Sequence, residues 1–476
     1  MTAACGPQAQ LVRAGVARRG CCKNKGVGEV QPDRNRQAEQ QLAAFVAGLT
    51  WEDLPDDVIE RAVWVVIDAV GAIVGGNGTP HMRRLAEALP AGTAWAYGTG
   101  RRLEPGYAAF LNGSAGTELE LDEGHRHTGG HPGMHVVPAC LALAEDRHLS
   151  GRDLILALVA GYEAASRTAR SVRPLAQGRH PHGTWGVVGA AVAAARLLGL
   201  DAAGTLQAMR MAVEFVLNTH YAAAIEGATV RQAYTGWAGM AGIMAARMAA
   251  TGFTGLEGAV PAGLASLAAG EPNPAALTRD LGSDFEIRHS YFKVHSACRH
   301  LHGALDSLDE LAATTPLLPE QIEQVQVLTY REAAKFTGAR PRNALQARFS
   351  LPYAVAARIV YGHAGPAAFA DEAITPAVLA LAERVQVVEV PEFTAREPAE
   401  RPTRVEIRLK DGTVLSAGVD VPRGDPERAF GPDELAGKFL SLVAPQRGEA
   451  NAREALAWLQ NLPAAPALEP LGQWLG

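Results

Sequence analysis

Apolar residues recur at helical spacing through most of the first part of the chain. Over 56–74, Val58, Ala62, Val65, Val66 and Ala69 share one face, Trp51-Glu52-Asp53-Leu54-Pro55 starts the run, and Gly75-Gly76-Asn77-Gly78 stops it. The same texture predicts helices over 108–112, 137–145, 151–169, 186–198, 202–215 and 231–251, rich in Ala and Gly on several faces. Small residues let helix axes approach closely, so these segments are expected to bury one another in a compact all-helical body. After Lys293 the period changes. Residues 321–330 and 404–409 alternate with β-branched side chains, and Lys410-Asp411-Gly412-Thr413 reads as a hairpin turn before 414–421. Helical patterning over 351–361 and 376–383 lies between them, and it returns over 432–443 and 452–459. The expected fold is mostly α: a large all-helical domain completed by the C-terminus, plus a smaller α+β lid domain. The boundaries read as a disordered tail 1–37, helical domain 38–290, lid 291–425 and helical completion 426–476. A cleft between lid and body is the natural place for a small ligand.

Composition narrows the function classes. A chain of 476 residues, 48% hydrophobic and 20% charged, can bury a large core and fits two or three domains. Lys and Arg number 44 against 50 Asp and Glu, a net charge of −6, which gives no basic field for nucleic acid or an anionic membrane. An anionic substrate must therefore be met by local cations. Cys5, Cys21, Cys22, Cys140 and Cys298 are odd in number and scattered, a pattern that fits a reducing, cytoplasmic setting rather than a disulfide scaffold. Residues 1–37 are rich in Gly, Arg and Lys and lack hydrophobic periodicity. No later stretch is long and apolar enough to span a bilayer without interruption.

The densest chemistry lies in Glu120-Leu121-Asp122-Glu123-Gly124-His125-Arg126-His127-Thr128-Gly129-Gly130-His131-Pro132-Gly133, continuing to His135. It gathers three carboxylates and four imidazoles in a Gly-rich connection, the kind of loop on which a rigid scaffold aims reactive side chains. Solvated or structural histidines are the plain alternative, and zinc the sharper one. The spacing fits no closed zinc motif, and Cys140 is the only nearby thiol. No metal is therefore expected. Three further clusters should face the cleft. Arg179-His180-Pro181-His182-Gly183-Thr184-Trp185-Gly186 precedes a helix, whose N-terminus attracts carboxylates. Arg231 opens another helix after Glu226-Gly227-Ala228-Thr229-Val230 and can hold a carboxylate bidentately. Finally, Tyr291-Phe292-Lys293-Val294-His295-Ser296-Ala297-Cys298-Arg299-His300-Leu301-His302 falls where the domains meet.

The order of Asn112-Gly113, Asp122-Glu123, His131-Pro132-Gly133 with Pro138-Ala139, His180-Pro181, Gly183-Thr184-Trp185-Gly186, Phe292-Lys293 with Cys298-Arg299, Ser350-Leu351-Pro352-Tyr353 and Asp411-Gly412 resembles the MmgE/PrpD family over roughly 43–443. The resemblance implies a helical domain with an α+β lid, a homodimer, no iron–sulfur cluster or other cofactor, and a small polycarboxylate substrate. Family reactions include dehydration of 2-methylcitrate, decarboxylation of cis-aconitate and epimerisation of iminodisuccinate. All of them work at a carbon beside a carboxylate. A dehydrating lyase is the first expectation, with epimerase and decarboxylase as alternatives. Carried over position by position, the pattern makes His131 and His180 candidate base and acid. Asp122 orients an imidazole, Lys293 binds a carboxylate or, if burial lowers its pKa, delivers a proton, and Arg231 binds a carboxylate. His125, His182, Cys298 and Arg299 are further candidates for substrate contact. Relatives tend to carry Asp-Asp-Thr at Asp122-Glu123-Gly124, a threonine at His182, a lysine at Arg231 and a histidine at Thr117. The extra imidazoles His125, His127 and His182 point to a different substrate or a second proton transfer.

Overall fold

The computed structural model describes residues 31–476. Its first helix, Gln31–Gly48, begins inside the segment expected as a tail: Pro32 and Asp33 occupy its first turn, and Ala38, Leu42 and Val46 are buried against the body. Residues 1–30 lie outside the described part. The buried centre is the helix Asp56–Asn77, apolar on nearly every face from Val58 onward. Around it stand Pro105–Gly116, Pro132–Asp146, Gly151–Ser171, Gly186–Leu197, Ala202–Glu214 and Ala233–Ala250. Glycine sets the closest crossings. At Gly76 a side chain would collide with the Ala115 carbonyl, and at Gly236 with that of Phe110.

The body is not purely helical. Ala91–Ala96 and Arg101–Leu103 form an antiparallel hairpin, turned through Gly98 and Gly100 at φ +85° and +78°. Its sequence, Ala-Gly-Thr-Ala-Trp-Ala, has little β-branched signal, and the pairing is held by burial of Ala94, Ala96 and Leu103. A second short pairing, Gly124–His125 with Ser290–Tyr291, ties the acidic connection to the segment that enters the lid.

The lid sheet runs Val385–Glu389, Ile322–Thr329, Thr403–Leu409, Val414–Val419. The first pair is parallel and the others antiparallel. Helices Leu351–Tyr361 and Pro376–Ala382 make the crossover a parallel pair requires. With His302–Ala312 they cover the sheet and close a core of their own, from Ala297 to Ile407 with Ala224 of the body. The other core spans Ala38 to Phe292 and then takes in Phe430 to Leu475, so the last helices belong to the body. Phe439 of helix Pro432–Arg447 lies over Gly71, and Lys438 reaches 2.5 Å from both Asp68 Oδ1 and the Leu121 carbonyl. No helix among the described residues is long and apolar enough to cross a membrane.

Candidate active site

Helix Pro105–Gly116 ends at Thr117, and the chain turns sharply through Glu120, a non-glycine residue at φ +51°. The turn sends neighbouring acids in different directions. Glu123 Oε1 accepts from the Tyr162 hydroxyl at 2.5 Å and Oε2 from the Gly133 N–H at 2.9 Å, while its own N–H donates to Asp68 at 2.8 Å. Burial pushes the Glu123 carboxyl up to about 8, despite the tyrosine bond that opposes it. Asp122 is equally buried, yet its carboxyl is held below the usual range. Burial alone would raise it, but the His131 imidazole and the Lys293 ammonium outweigh that effect. Two adjacent carboxyls thus have opposite preferences: one neutral and structural, the other a fixed anion.

Around the Asp122 anion the functional groups converge. His131, just before helix Pro132–Asp146, places Nδ1 2.6 Å from Asp122 Oδ2. Lys293 Nζ lies 3.4 Å from Glu120 Oε2 and 3.5 Å from Asp122 Oδ1. Arg231, in the short turn Thr229–Gln232, pairs with Glu120 Oε1 and stacks its guanidinium 5.2 Å from the Phe349 ring centre. The His182 ring sits edge-on to both His131 and His180, at 4.6 Å centre to centre in each case, and 5.3 Å from His135. Its Nδ1 is buried without a partner. His180 Nδ1 accepts from the His182 N–H at 3.0 Å, and its ring packs 4.9 Å from Tyr221, whose hydroxyl is 3.8 Å from Cys298 Sγ. Burial drives His180 and His182 well below the ordinary imidazole range, helped by the Arg231 charge, so both rings are neutral. Burial also lowers Lys293, but Glu120 and Asp122 overcome it and the net shift is upward. The cationic form is thus favoured, contrary to the burial-lowered pKa on which the expected proton delivery depended.

The model of the MmgE/PrpD N-terminal domain matches residues 40–269, and that of the C-terminal domain matches 295–462. The chain belongs to the MmgE/PrpD family. A cis-aconitate decarboxylase-like protein of Aspergillus oryzae is 26% identical over 451 residues, covering 87% of this chain and 91% of the relative. Human cis-aconitate decarboxylase is 26% identical over 447 residues, 88% of each chain, and that of Aspergillus terreus 24% over 451 residues, 87% and 91%.

Within this MmgE/PrpD protein two of the expected contact residues lie away from the Asp122 cluster. His125 is wholly buried on the far side of the loop, Nε2 3.3 Å from Glu286 Oε2 and Nδ1 accepting from the Thr128 N–H at 3.3 Å, so both ring nitrogens are occupied. Arg299 instead clasps the 422–425 turn, donating to Arg423 O at 2.8 Å and Pro422 O at 3.1 Å and pairing with Asp425 at 3.2 Å. Glu120 and Tyr221 are brought into the cluster although the sequence did not single them out. Glu120 was legible in part, because it opens the same acidic stretch as Asp122, which was already chosen. Tyr221 carried no signal. Among the described residues, His295, Asp306 and Asp309 bring ligand-type atoms close together. Arg358 and the Arg423 N–H already bond the two aspartates, at 2.6 and 2.7 Å, as an internal network would.

Proposed function

We propose that this MmgE/PrpD protein is a lyase that forms or quenches a carbanion beside a carboxylate of a small polycarboxylic acid. Decarboxylation of an unsaturated tricarboxylate of the cis-aconitate kind is the leading reaction. The observation that carries this reading is the buried Asp122–His131 pair set between the Lys293 and Arg231 cations and the neutral rings of His180 and His182. The names of the relatives favour decarboxylation over dehydration.

Lys293 and Arg231 converge on Glu120, so both cations are placed to receive substrate carboxylates in a site of low dielectric. Breaking the bond to the departing carboxylate releases carbon dioxide and leaves its electron pair on the adjacent carbon. That pair spreads into the remaining unsaturated carboxylate system, where the Lys293 ammonium stabilises it. With Nδ1 facing Asp122, His131 keeps Nε2 as its proton-exchanging nitrogen and protonates the carbon, so one proton is taken up for each carbon dioxide lost.

Dehydration is the second reading, favoured by the neutral His180 and His182. One ring takes the proton beside the carboxylate, and His131 returns a proton to the departing hydroxide, forming water. Proton NMR in deuterated water with cis-aconitate, citrate, 2-methylcitrate and iminodisuccinate separates the cases. Decarboxylation gives carbon dioxide with one deuterium in the product, dehydration gives new vinyl signals from a hydroxy acid, and epimerisation gives exchange with inversion. No turnover and no exchange across the panel would overturn the proposal.

A further inference from the structure

Buried guanidinium groups need counter-charges, because an isolated cation in a protein interior loses its hydration without compensation. In this molecule nearly all have them. Arg167 pairs with Glu163 at 2.8 Å, Arg210 with Glu39 at 2.6 Å, Arg126 with Glu427 at 2.5 Å, Arg299 with Asp425 at 3.2 Å, and Arg231 with Glu120. Arg348 stands outside an ion pair but donates Nε to Ser296 at 3.2 Å. Arg401 differs from all of these. It is 5% exposed, its Nε and Nη1 are buried with no partner, and it enters none of the ion pairs among the described residues.

The fold holds Arg401 in place. It precedes the lid strand Thr403–Leu409, and its N–H donates to the Asp420 carbonyl at 2.9 Å. Two guanidiniums lie near the Tyr291 ring, Arg299 at 4.5 Å and Arg401 at 6.0 Å from its centre. Tyr291 pairs with Gly124 of the acidic loop and stands two residues before Lys293. Asp425, paired with Arg299, and Glu397 both favour the Arg401 charge, but neither reaches ion-pair distance of it. Tyr330 binds His300 at 2.7 Å. Arg173, exposed, rims the same region across Gly129. The surroundings are thus rich in cations and donors, and one buried fork has acids near it but none bonded to its Nε or Nη1.

We propose that Arg401 forms a carboxylate-binding subsite, alongside Tyr291 and on the lid side of the acidic loop. It takes the carboxylate of the polycarboxylate ligand that Lys293 and Arg231 do not hold. The planar guanidinium fork matches a carboxylate bidentately, and the ligand supplies the directly bonded anion that Arg401 lacks. The subsite rests on the polycarboxylate reading above and extends it: the third carboxylate becomes the group that distinguishes tricarboxylic from dicarboxylic ligands.

Calorimetric titration of the full-length protein with two unreactive acids tests this. Tricarballylate has three carboxylates, whereas malonate is a short dicarboxylate that Lys293 and Arg231 can hold alone. Arg401→Met is expected to weaken tricarballylate tenfold or more and malonate less than twofold, with Arg401→Lys intermediate. Because Arg401 bonds no acid directly, Arg401→Met should change the melting temperature little. Unchanged tricarballylate affinity, or equal losses for both acids with a lowered melting temperature, would overturn the subsite and leave the polycarboxylate reading standing. Failure of the parent protein to bind either acid would remove both.

Discussion

In the proposed mechanism Asp122 and His131 act as one unit, so their variants should resemble each other. Asp122→Asn keeps the shape but removes the charge that selects the proton on His131 Nδ1, and His131→Ala removes the ring; each should lower kcat by about 10²–10⁴ with the fold intact by circular dichroism. Because burial keeps His180 and His182 neutral well below the usual imidazole range, the acidic limb of kcat/KM should lie below pH 6.5. Lys293, raised by its two acids, should add no alkaline limb in the range where enzymes are assayed. Glu123 has the opposite sign to Asp122. Its folded pKa of about 8 exceeds the ordinary 4.5, so its contribution to stability is full below 4.5 and is lost as pH rises through about 8. Thermal unfolding should show the melting temperature falling across that window, and Glu123→Gln should flatten the slope while costing about 1–2 kcal/mol for the lost Gly133 bond. At this scale the sequence displayed the candidate side chains plainly, since carboxylates and imidazoles in one Gly-rich stretch are visible in any reading. It did not display their directions. His125 and His131 look alike in the chain, yet one faces Glu286 and the other Asp122, a difference set by pairing of Gly124–His125 with a segment that comes much later.

Among the elements, the long helices were legible because their burial follows a local period: Gly151–Ser171 and Leu351–Tyr361 begin where their capping serines, Ser150 and Ser350, accept from the N–H of Asp153 and Tyr353. The Ala91–Ala96 hairpin and the strand Val385–Glu389 were not, since each is defined by its partner strand more than by its own residues. Helix His302–Ala312 was masked by the histidines that precede it. The element on which the acidic loop leans is Pro432–Arg447. Lys438 from that helix is nearly buried between Asp68 and the Leu121 carbonyl, so Lys438→Met should cost about 3–5 kcal/mol by leaving Asp68 without its counter-charge. The double variant Asp68→Asn, Lys438→Met should recover much of that loss in chemical denaturation. Hydrogen exchange should show the Lys438→Met change concentrated at residues 118–124, next to the released carbonyl.

For the whole molecule, two cores meet where the candidate site lies, and the chain crosses from one to the other between Phe292 and Ala297. Movement of the lid against the body would therefore displace Cys298 and Phe349 relative to His131 and His180, and ligand binding should slow amide exchange along that seam. We also propose the homodimer implied by the family. Val230, Met244, Phe253 and Leu256 are apolar side chains exposed by 61%, 49%, 58% and 69%, and sedimentation at twice the chain mass is the expected outcome. The Lys438 contact has a consequence for how such a protein is made. The carbonyl it grips belongs to a residue 317 positions earlier, so the acidic loop waits for almost the entire chain to be synthesised before its last fastening can form. Until Phe439 arrives, the face of Asp56–Asn77 that it covers should stay open to solvent, so a chain cut short before helix Pro432–Arg447 is expected to expose apolar surface and aggregate.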